Sequence, residues 1–139
     1  MKFLTLIFSF LFLSTFTGNS QTKSTVDSLS KGYQICLDSS MDMKDCSLKC
    51  YWKVDSMLNI VYNKLRKQLT STEQTGLKTE QKNWLRARDK YFAIQDRIFY
   101  SRMKSGEWGI DMRMIPIDHK AKFVEKRVYV LLSKIKNRK

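Results

Sequence analysis

Apolar residues recur at steps of three and four over most of the chain, and this spacing predicts α-helices. The clearest stripe lies between Cys46 and Leu69, where apolar side chains fall on one side of a helix. Its members are Val54, Leu58, Val61, Leu65 and Leu69. Beside it, Asp55, Asn59 and Tyr62 form a polar stripe, because steps of four and three residues keep side chains within about a sixth of a turn. A central helix is therefore expected from about Lys44 to Leu69, with a polar seam that another helix covers.

A second helix is predicted after the central one. Thr70 and Glu73 have the spacing of a capping box, in which two side chains satisfy free backbone N–H groups at a helix start. This helix is expected to continue to about Met103. One of its faces carries Gln81, Trp84, Leu85, Arg88 and Phe92.

Arg88 lies between aromatic residues, which is an unusual position for a charge without a partner. An ion pair between Arg88 and Asp55 is therefore predicted to join the two helices. The alternative is that Arg88 extends along Trp84 to reach solvent. The predicted structural polar cluster comprises Asp55, Asn59, Tyr62, Gln81, Trp84 and Arg88.

The periodicity fails between Ser105 and Asp118, where two glycines and the only proline predict a loop. Asp118 is expected to cap a last helix, whose inward face is apolar and whose outward face is basic. Because no strand pattern or tandem repeat is present, the fold is predicted to be all-α, a small bundle of three to four helices with one N-terminal disulfide.

The part of this loop from Ser105 to Pro116 is the candidate partner-binding segment. Binding would use its acidic and apolar side chains. They are Glu107, Trp108, Asp111, Met112 and Met114. The alternative, which we favour from the sequence, is a plain connection in which Trp108 and Ile110 fold back onto the bundle.

The N-terminus has the character of a secretory signal peptide over residues 1–20. Lys2 precedes an apolar run, and small or polar residues follow. A membrane anchor fits less well, because the run is too short to span about 30 Å of hydrocarbon comfortably. Residues 21–33 are expected to be a flexible linker, residues 34–139 a single helical domain, and the protein periplasmic or secreted, with no transmembrane segment after cleavage.

Three cysteines lie in the first part of the exported chain, where a disulfide is chemically permitted. Cys46 and Cys50 are one helical turn apart, a spacing that usually holds the Cβ atoms too far apart for a bridge. A bond between Cys36 and Cys46 is the better choice. Cys50 is then a buried thiol or an intermolecular one, and no histidine is placed to make it catalytic.

The net charge of the chain limits the classes of partner that it would bind. The chain has 26 Lys and Arg against 13 Asp and Glu, and the last twenty residues hold 8 basic and 1 acidic. Such a balance favours anionic surfaces, or serves only solubility. One histidine and no clustered carboxylates predict no metal and no cofactor. Phosphate-binding loops and nucleophile elbows are absent, so an enzyme is not expected, and export disfavours nucleic acid.

Several short motifs occur in an order that resembles the N-terminal domain of the LprI-type lysozyme inhibitors, over roughly Cys36 to Leu131. They are Met43-x-x-Cys46, Tyr51, Asp55-x-x-Leu58-Asn59-x-x-Tyr62, Leu77-x-x-x-Gln81-x-x-Trp84-Leu85-x-x-Arg88-Asp89 and Arg127-x-x-x-Leu131. The resemblance implies a small secreted or lipid-anchored helical domain in bacteria, of a family in which inhibition of lysozyme is ascribed to the namesake and most members have no established activity. It also implies a second cysteine pair, but Phe92 and His119 occupy those positions here.

Two functions are therefore expected as alternatives. The first is occlusion of lysozyme or another cell-wall hydrolase. Animal lysozymes of the common type are themselves basic, so this would need a local acidic or apolar surface. The second is an envelope-associated structural or adaptor protein that binds anionic lipid or wall polymer through its basic C-terminal helix.

Overall fold

A computed structural model describes residues 23–137, and four α-helices account for most of them. One turn of 3₁₀ helix, residues 110–113, precedes the last helix. The helices are α1 (Lys23–Ser39), α2 (Met43–Lys67), α3 (Ser71–Lys104) and α4 (Met114–Lys136). No strand occurs among these residues, so the prediction of a small all-α bundle is confirmed.

Local sequence signals explain where the helices begin. Asp42 caps α2 by accepting a hydrogen bond from the backbone N–H of Asp45, 2.9 Å away. The capping box predicted from Thr70 and Glu73 is present at the start of α3. Each cap satisfies backbone groups that have no partner inside the helix.

The start of α4 differs from the prediction. The helix begins at Met114 rather than after Asp118, because Pro116 lies in the first turn, where its missing N–H breaks no helical hydrogen bond. Asp118 is consequently inside the helix and does not cap it. Of the predicted loop, residues 105–109 remain between α3 and the 3₁₀ turn.

The core lies mainly between α2 and α4, which run in the same direction. Ser47 and Asp118, near the two helix starts, both contact Tyr33 of α1, and Leu65 and Ile135 near the two ends belong to one apolar cluster. Fully buried side chains of this core include Val61, Leu65, Val124, Val128 and Leu131. The sequence predicted α3 as the main partner of α2, but α4 has that position.

Helices α1 and α3 run antiparallel to this pair and lie on opposite sides of it. Tyr129 of α4 donates to Asp27 of α1 at 2.7 Å. A different face of α4 presents Arg127 to Gln81 of α3. Because successive helices are antiparallel, the α1–α2 and α3–α4 connections share one end of the bundle, and the α2–α3 turn and both described termini share the other.

The N-terminal segment differs in part from its prediction. The predicted signal peptide, residues 1–20, lies outside the described residues. Residues 23–33, expected within a flexible linker over 21–33, are helical, because Val26 is fully buried in the core and anchors them. Val26, Leu29 and Tyr33 recur at steps of three and four, which is a helical spacing that the prediction of a linker overlooked.

The disulfide between Cys36 and Cys46 is present, as predicted, with the Cα atoms 5.8 Å apart. It joins the last turn of α1 to the first turn of α2, and Cys50 is a free, partly buried thiol. Within residues 23–137, none of the helices combines the length and the apolar character needed to cross a membrane.

Candidate functional site

The predicted polar cluster is only partly assembled. Arg88 donates from Nε and Nη2 to the carboxylate of Asp89, at 3.0 and 2.7 Å, rather than to Asp55. Its guanidinium lies over the rings of Trp84 and Phe92, at 5.8 and 5.7 Å from their centroids. Arg88 therefore follows the aromatic surface outward, as the alternative in the sequence analysis described.

The other members of the predicted cluster have separate surroundings. Asn59 is exposed and its side-chain amide donates to the backbone carbonyl of Asp55. Tyr62 packs at the edge of the core, and Gln81 faces α4. The predicted Arg88–Asp55 pair fails because α4, rather than α3, covers the centre of α2.

Within residues 23–137, the most buried ion pair involves Arg127, for which the sequence predicted no partner. Its side chain is 6% exposed, and its Nη1 donates to Glu80 at 2.7 Å. Nε and Nη2 both donate to the side-chain oxygen of Gln81, at 3.0 and 2.8 Å. Lys134 donates to the second oxygen of Glu80 at 2.6 Å. Burial alone would raise the pKa of Glu80, but the hydrogen bonds from Lys134 and Arg127 outweigh it and lower the pKa.

An aromatic cluster completes the contact between α3 and α4. Phe123 of α4 stacks on Trp84 and Tyr91 of α3, with ring centroids 5.9 and 4.5 Å apart. Phe92 contacts Phe123 edge-on and also reaches Tyr51 of α2 at 6.0 Å. Such ring pairs add stability beyond the apolar area that they bury.

The segments that a second disulfide would join in similar domains are held here by other contacts. The imidazole Nδ1 of His119 lies 2.6 Å from the side-chain oxygen of Gln95. Lys120 pairs with Asp96 at 2.6 Å, and its ammonium lies 5.4 Å from the ring centroid of Phe92. Packing and polar contacts thus connect α3 to the start of α4 without a covalent bond.

A second polar contact, centred on Tyr33, ties α1 to both α2 and α4. Its hydroxyl lies 2.7 and 2.8 Å from the carboxylate oxygens of Asp118, to which it donates, and 3.0 Å from Ser47 Oγ. Burial and the neighbouring Asp118 raise the pKa of Tyr33 to about 12, although the hydrogen bond with Ser47 opposes the shift. Burial is also the main reason that the pKa of the nearby Cys50 thiol is raised. A thiol held in its protonated form is a poor nucleophile.

The candidate binding loop folds back in part. Trp108 packs against Phe99, with centroids 6.2 Å apart, and the guanidinium of Arg102 lies 4.6 Å from the Trp108 centroid. Glu107 pairs with the same arginine at 2.9 Å. Ile110, which was expected to fold back with Trp108, is instead 57% exposed.

The remaining loop residues are more accessible. Met112 is 38% exposed, Asp111 is also exposed and Met114 is half-buried. A shallow groove of about 350 Å³ lies beside the loop between α3 and α4, with Trp108 in its wall. The loop therefore exposes a few apolar atoms. Of its two carboxylates, that of Glu107 is paired with Arg102.

The short connection between α1 and α2 presents a more exposed apolar surface, which the sequence analysis did not single out. We call it the disulfide tip. It comprises Ile35, Asp38, Met41, Asp42 and Met43. Met41 is fully exposed, and Ile35 and Met43 are 58% and 44% exposed. No Lys or Arg occurs from residue 34 to 43.

Charge is distributed unequally between the two ends of the bundle. At the end with the α2–α3 turn, exposed or partly exposed basic side chains form no ion pair with any residue in 23–137. These are Lys64, Arg66, Lys67, Lys78, Lys82 and Lys136. At the other end, Asp38 and Asp42 form no ion pair with a described residue. Lys44, Lys104 and Arg113 at this end also form no ion pair with a described residue. The end with the α2–α3 turn therefore suits an anionic partner, whereas only the region around Asp38 and Asp42 suits a basic one.

Comparison with known proteins identifies the family. A family model described as the lysozyme inhibitor LprI matches residues 36–131. The match begins at the disulfide and ends in the core face of α4. Neither the curated proteins nor the solved structures include a significant match. Because the family model covers more than half of the chain, and the resemblance found from the motifs spans the same residues, the protein belongs to the LprI lysozyme inhibitor family.

Proposed function

We propose that the protein is an exported, non-enzymatic binding protein that occludes a cell-wall hydrolase of the lysozyme class. The observation that carries this proposal is the match of a lysozyme inhibitor family to residues 36–131. These residues include the disulfide and nearly all of the core. The proposal thus concerns the folded domain as a whole rather than one peripheral motif.

The chemistry of the polar groups supports a binding role rather than catalysis. The buried Arg127 is engaged by Glu80 and Gln81, and Tyr33 is engaged by Asp118. These contacts join helices, and among residues 23–137 they leave no pair of groups arranged as nucleophile and base. Among residues 23–137, histidine, cysteine and carboxylate side chains do not gather into a group of three that could hold a metal ion. A periplasmic or secreted location is part of the proposal, and the disulfide is consistent with it.

A lysis assay tests this function directly. The chain from residue 21 onward is incubated with an animal lysozyme of the common type, and the clearing of a suspension of bacterial cell walls is followed. We expect slower clearing in proportion to the amount of complex formed. The assay is run at low and at about 0.5 M salt, where the Debye length is roughly 4 Å, so that simple charge effects are separated from a specific interface. Unchanged clearing at both salt concentrations, together with no binding in calorimetry, would contradict the proposal.

The unpaired basic end supports a second candidate function. The exposed lysine and arginine side chains around Arg66 and Lys67 could attach the protein to anionic lipid or acidic wall polymer. Adhesion of this kind should be lost at about 0.5 M salt. Sedimentation with vesicles of anionic lipid, compared with vesicles of neutral lipid, tests it, and equal sedimentation with both would exclude it.

A further inference from the structure

The disulfide tip is the surface of this bundle best suited to a basic partner. We propose that the tip, with Met41 at its apex, docks into a cleft of a basic hydrolase. This inference rests on the proposed function and assigns it to one surface. The partner is a folded protein with positive charge around an apolar recess.

Exposure of the tip is the first step of the argument. Methionine is a flexible apolar residue that adapts to irregular binding surfaces. Met41 nevertheless makes so little contact within the protein that its side chain is fully exposed, and Met43 and Ile35 are partly exposed beside it. Apolar side chains at a protruding turn can supply the buried centre of an interface, whereas scattered surface residues cannot.

Rigidity of the tip is the second step. The disulfide between Cys36 and Cys46 closes the connection, and Asp42 caps α2 through the N–H of Asp45. A constrained loop loses less conformational entropy when it binds, which favours affinity. The loop between α3 and α4, at the same end of the bundle, has no covalent constraint of this kind.

Charge is the third step, and it selects the partner. Asp38 and Asp42 form no ion pair with a described residue, and neither does Lys44 in the first turn of α2, so these side chains leave the tip with a small net negative charge. The C-terminal end of α1 and the N-terminal end of α2 meet here, and their helix dipoles have opposite signs. In the other loop, Arg102 neutralises Glu107. A basic partner is therefore attracted to the tip although the chain as a whole carries +13. Repulsion from the rest of the protein is weakened by distance and salt screening.

Two matched double variants test the assignment. In the tip variant, Met41→Ala is combined with Asp42→Asn, which keeps a good N-cap residue while removing its charge. In the loop variant, Met112→Ala is combined with Asp111→Asn, the same chemical changes at the neighbouring connection. Inhibition of an animal lysozyme of the common type is measured for both and for the unchanged chain.

We expect the tip variant to raise the inhibition constant by about tenfold or more, and the loop variant to change it by less than about twofold. Equal inhibition constants for the tip variant and the unchanged chain would overturn the tip assignment, as would a larger effect of the loop variant. If the unchanged chain itself does not inhibit, the proposed function fails and the tip assignment fails with it. Should the tip variant melt early by circular dichroism, Met41→Ala alone is measured instead, because that side chain packs against nothing that holds the fold.

Discussion

The two sides of α4 are stabilised by different kinds of contact. Toward α2, its side chains Val124, Val128 and Leu131 are fully buried in an apolar core. Toward α3, the contact is made by Arg127 with its hydrogen bonds and by Phe123 with its stacked rings. On the apolar side, stability comes from the apolar area that is removed from water. On the polar side, a few directed hydrogen bonds fix the orientation of α3 relative to α4. The difference explains why α3, a helix of 34 residues, has only Leu77 and Phe99 buried.

The largest expected effect is on the apolar side. Leu131→Ala should lower the free energy of unfolding by about 2–5 kcal/mol, because it removes a fully buried side chain and leaves a cavity. Leu85→Ala on α3 is the matched control. Because Leu85 is partly exposed, we expect a loss below about 1.5 kcal/mol. Urea unfolding measures both, and equal losses would show that the two sides are packed to the same degree.

A smaller effect is expected on the polar side. Arg127→Met keeps much of the side-chain volume but removes three hydrogen bonds to Glu80 and Gln81. A fully buried pair would cost about 3–5 kcal/mol to break. Glu80 is 40% exposed and keeps Lys134, so we expect about 1–3 kcal/mol.

Arg88→Met is the matched control for Arg127→Met. Arg88 pairs with its exposed sequence neighbour Asp89, so its loss should change the free energy of unfolding by less than about 0.5 kcal/mol. Chemical unfolding of the two variants under the same conditions compares them. A larger loss for the Arg88 variant would show that Arg88 makes the main polar contact of α3.

Residue patterns predicted the helices well, because the formation of each helix depends on residues that are close together in the sequence. The stripe from Val54 to Leu65 and the capping box at Thr70 need only the local sequence, and both are present as predicted. Spacing disfavoured a bond between Cys46 and Cys50, and the bond between Cys36 and Cys46 is present as predicted. Each of these features depends on residues that are close together in the sequence.

The pairing of helices was harder to predict because it depends on distant residues. Arg88 and Arg127 both lie beside aromatic residues in the folded protein, but only Arg127 faces a partner helix closely enough to be buried. Spacing identifies a face and does not say which helix covers it. The disulfide tip was not predicted for a related reason. Whether Met41 is exposed depends on how the helices pack at that end of the bundle, and the local sequence does not show this.

The attachment of α1 provides a pH-dependent test of the fold on the α1 side of α4. The pKa of Tyr33 rises from 10.0 to about 12 on folding, so its contribution is complete below pH 10 and is lost as the pH rises through about 12. The sign follows because the unfolded chain releases the proton first. The melting temperature of the unchanged chain should therefore fall between pH 9 and 11. In the Tyr33→Phe variant this fall should be smaller by a few degrees. Tyr100→Phe, at a side chain 69% exposed, is the control and should leave the fall unchanged.

The smallest effect is expected at Asp55, which the sequence predicted as the partner of a buried charge. Its carboxylate makes no ion pair within residues 23–137, and Arg88 is paired with Asp89. Asp55→Ala should consequently change the free energy of unfolding by less than about 0.5 kcal/mol, and combining it with Arg88→Met should be additive. A double-mutant cycle measured by urea unfolding checks this. A coupling of about 3 kcal/mol would mean that the Arg88–Asp55 pair forms in solution and that α3 packs more closely against α2 than the structure shows.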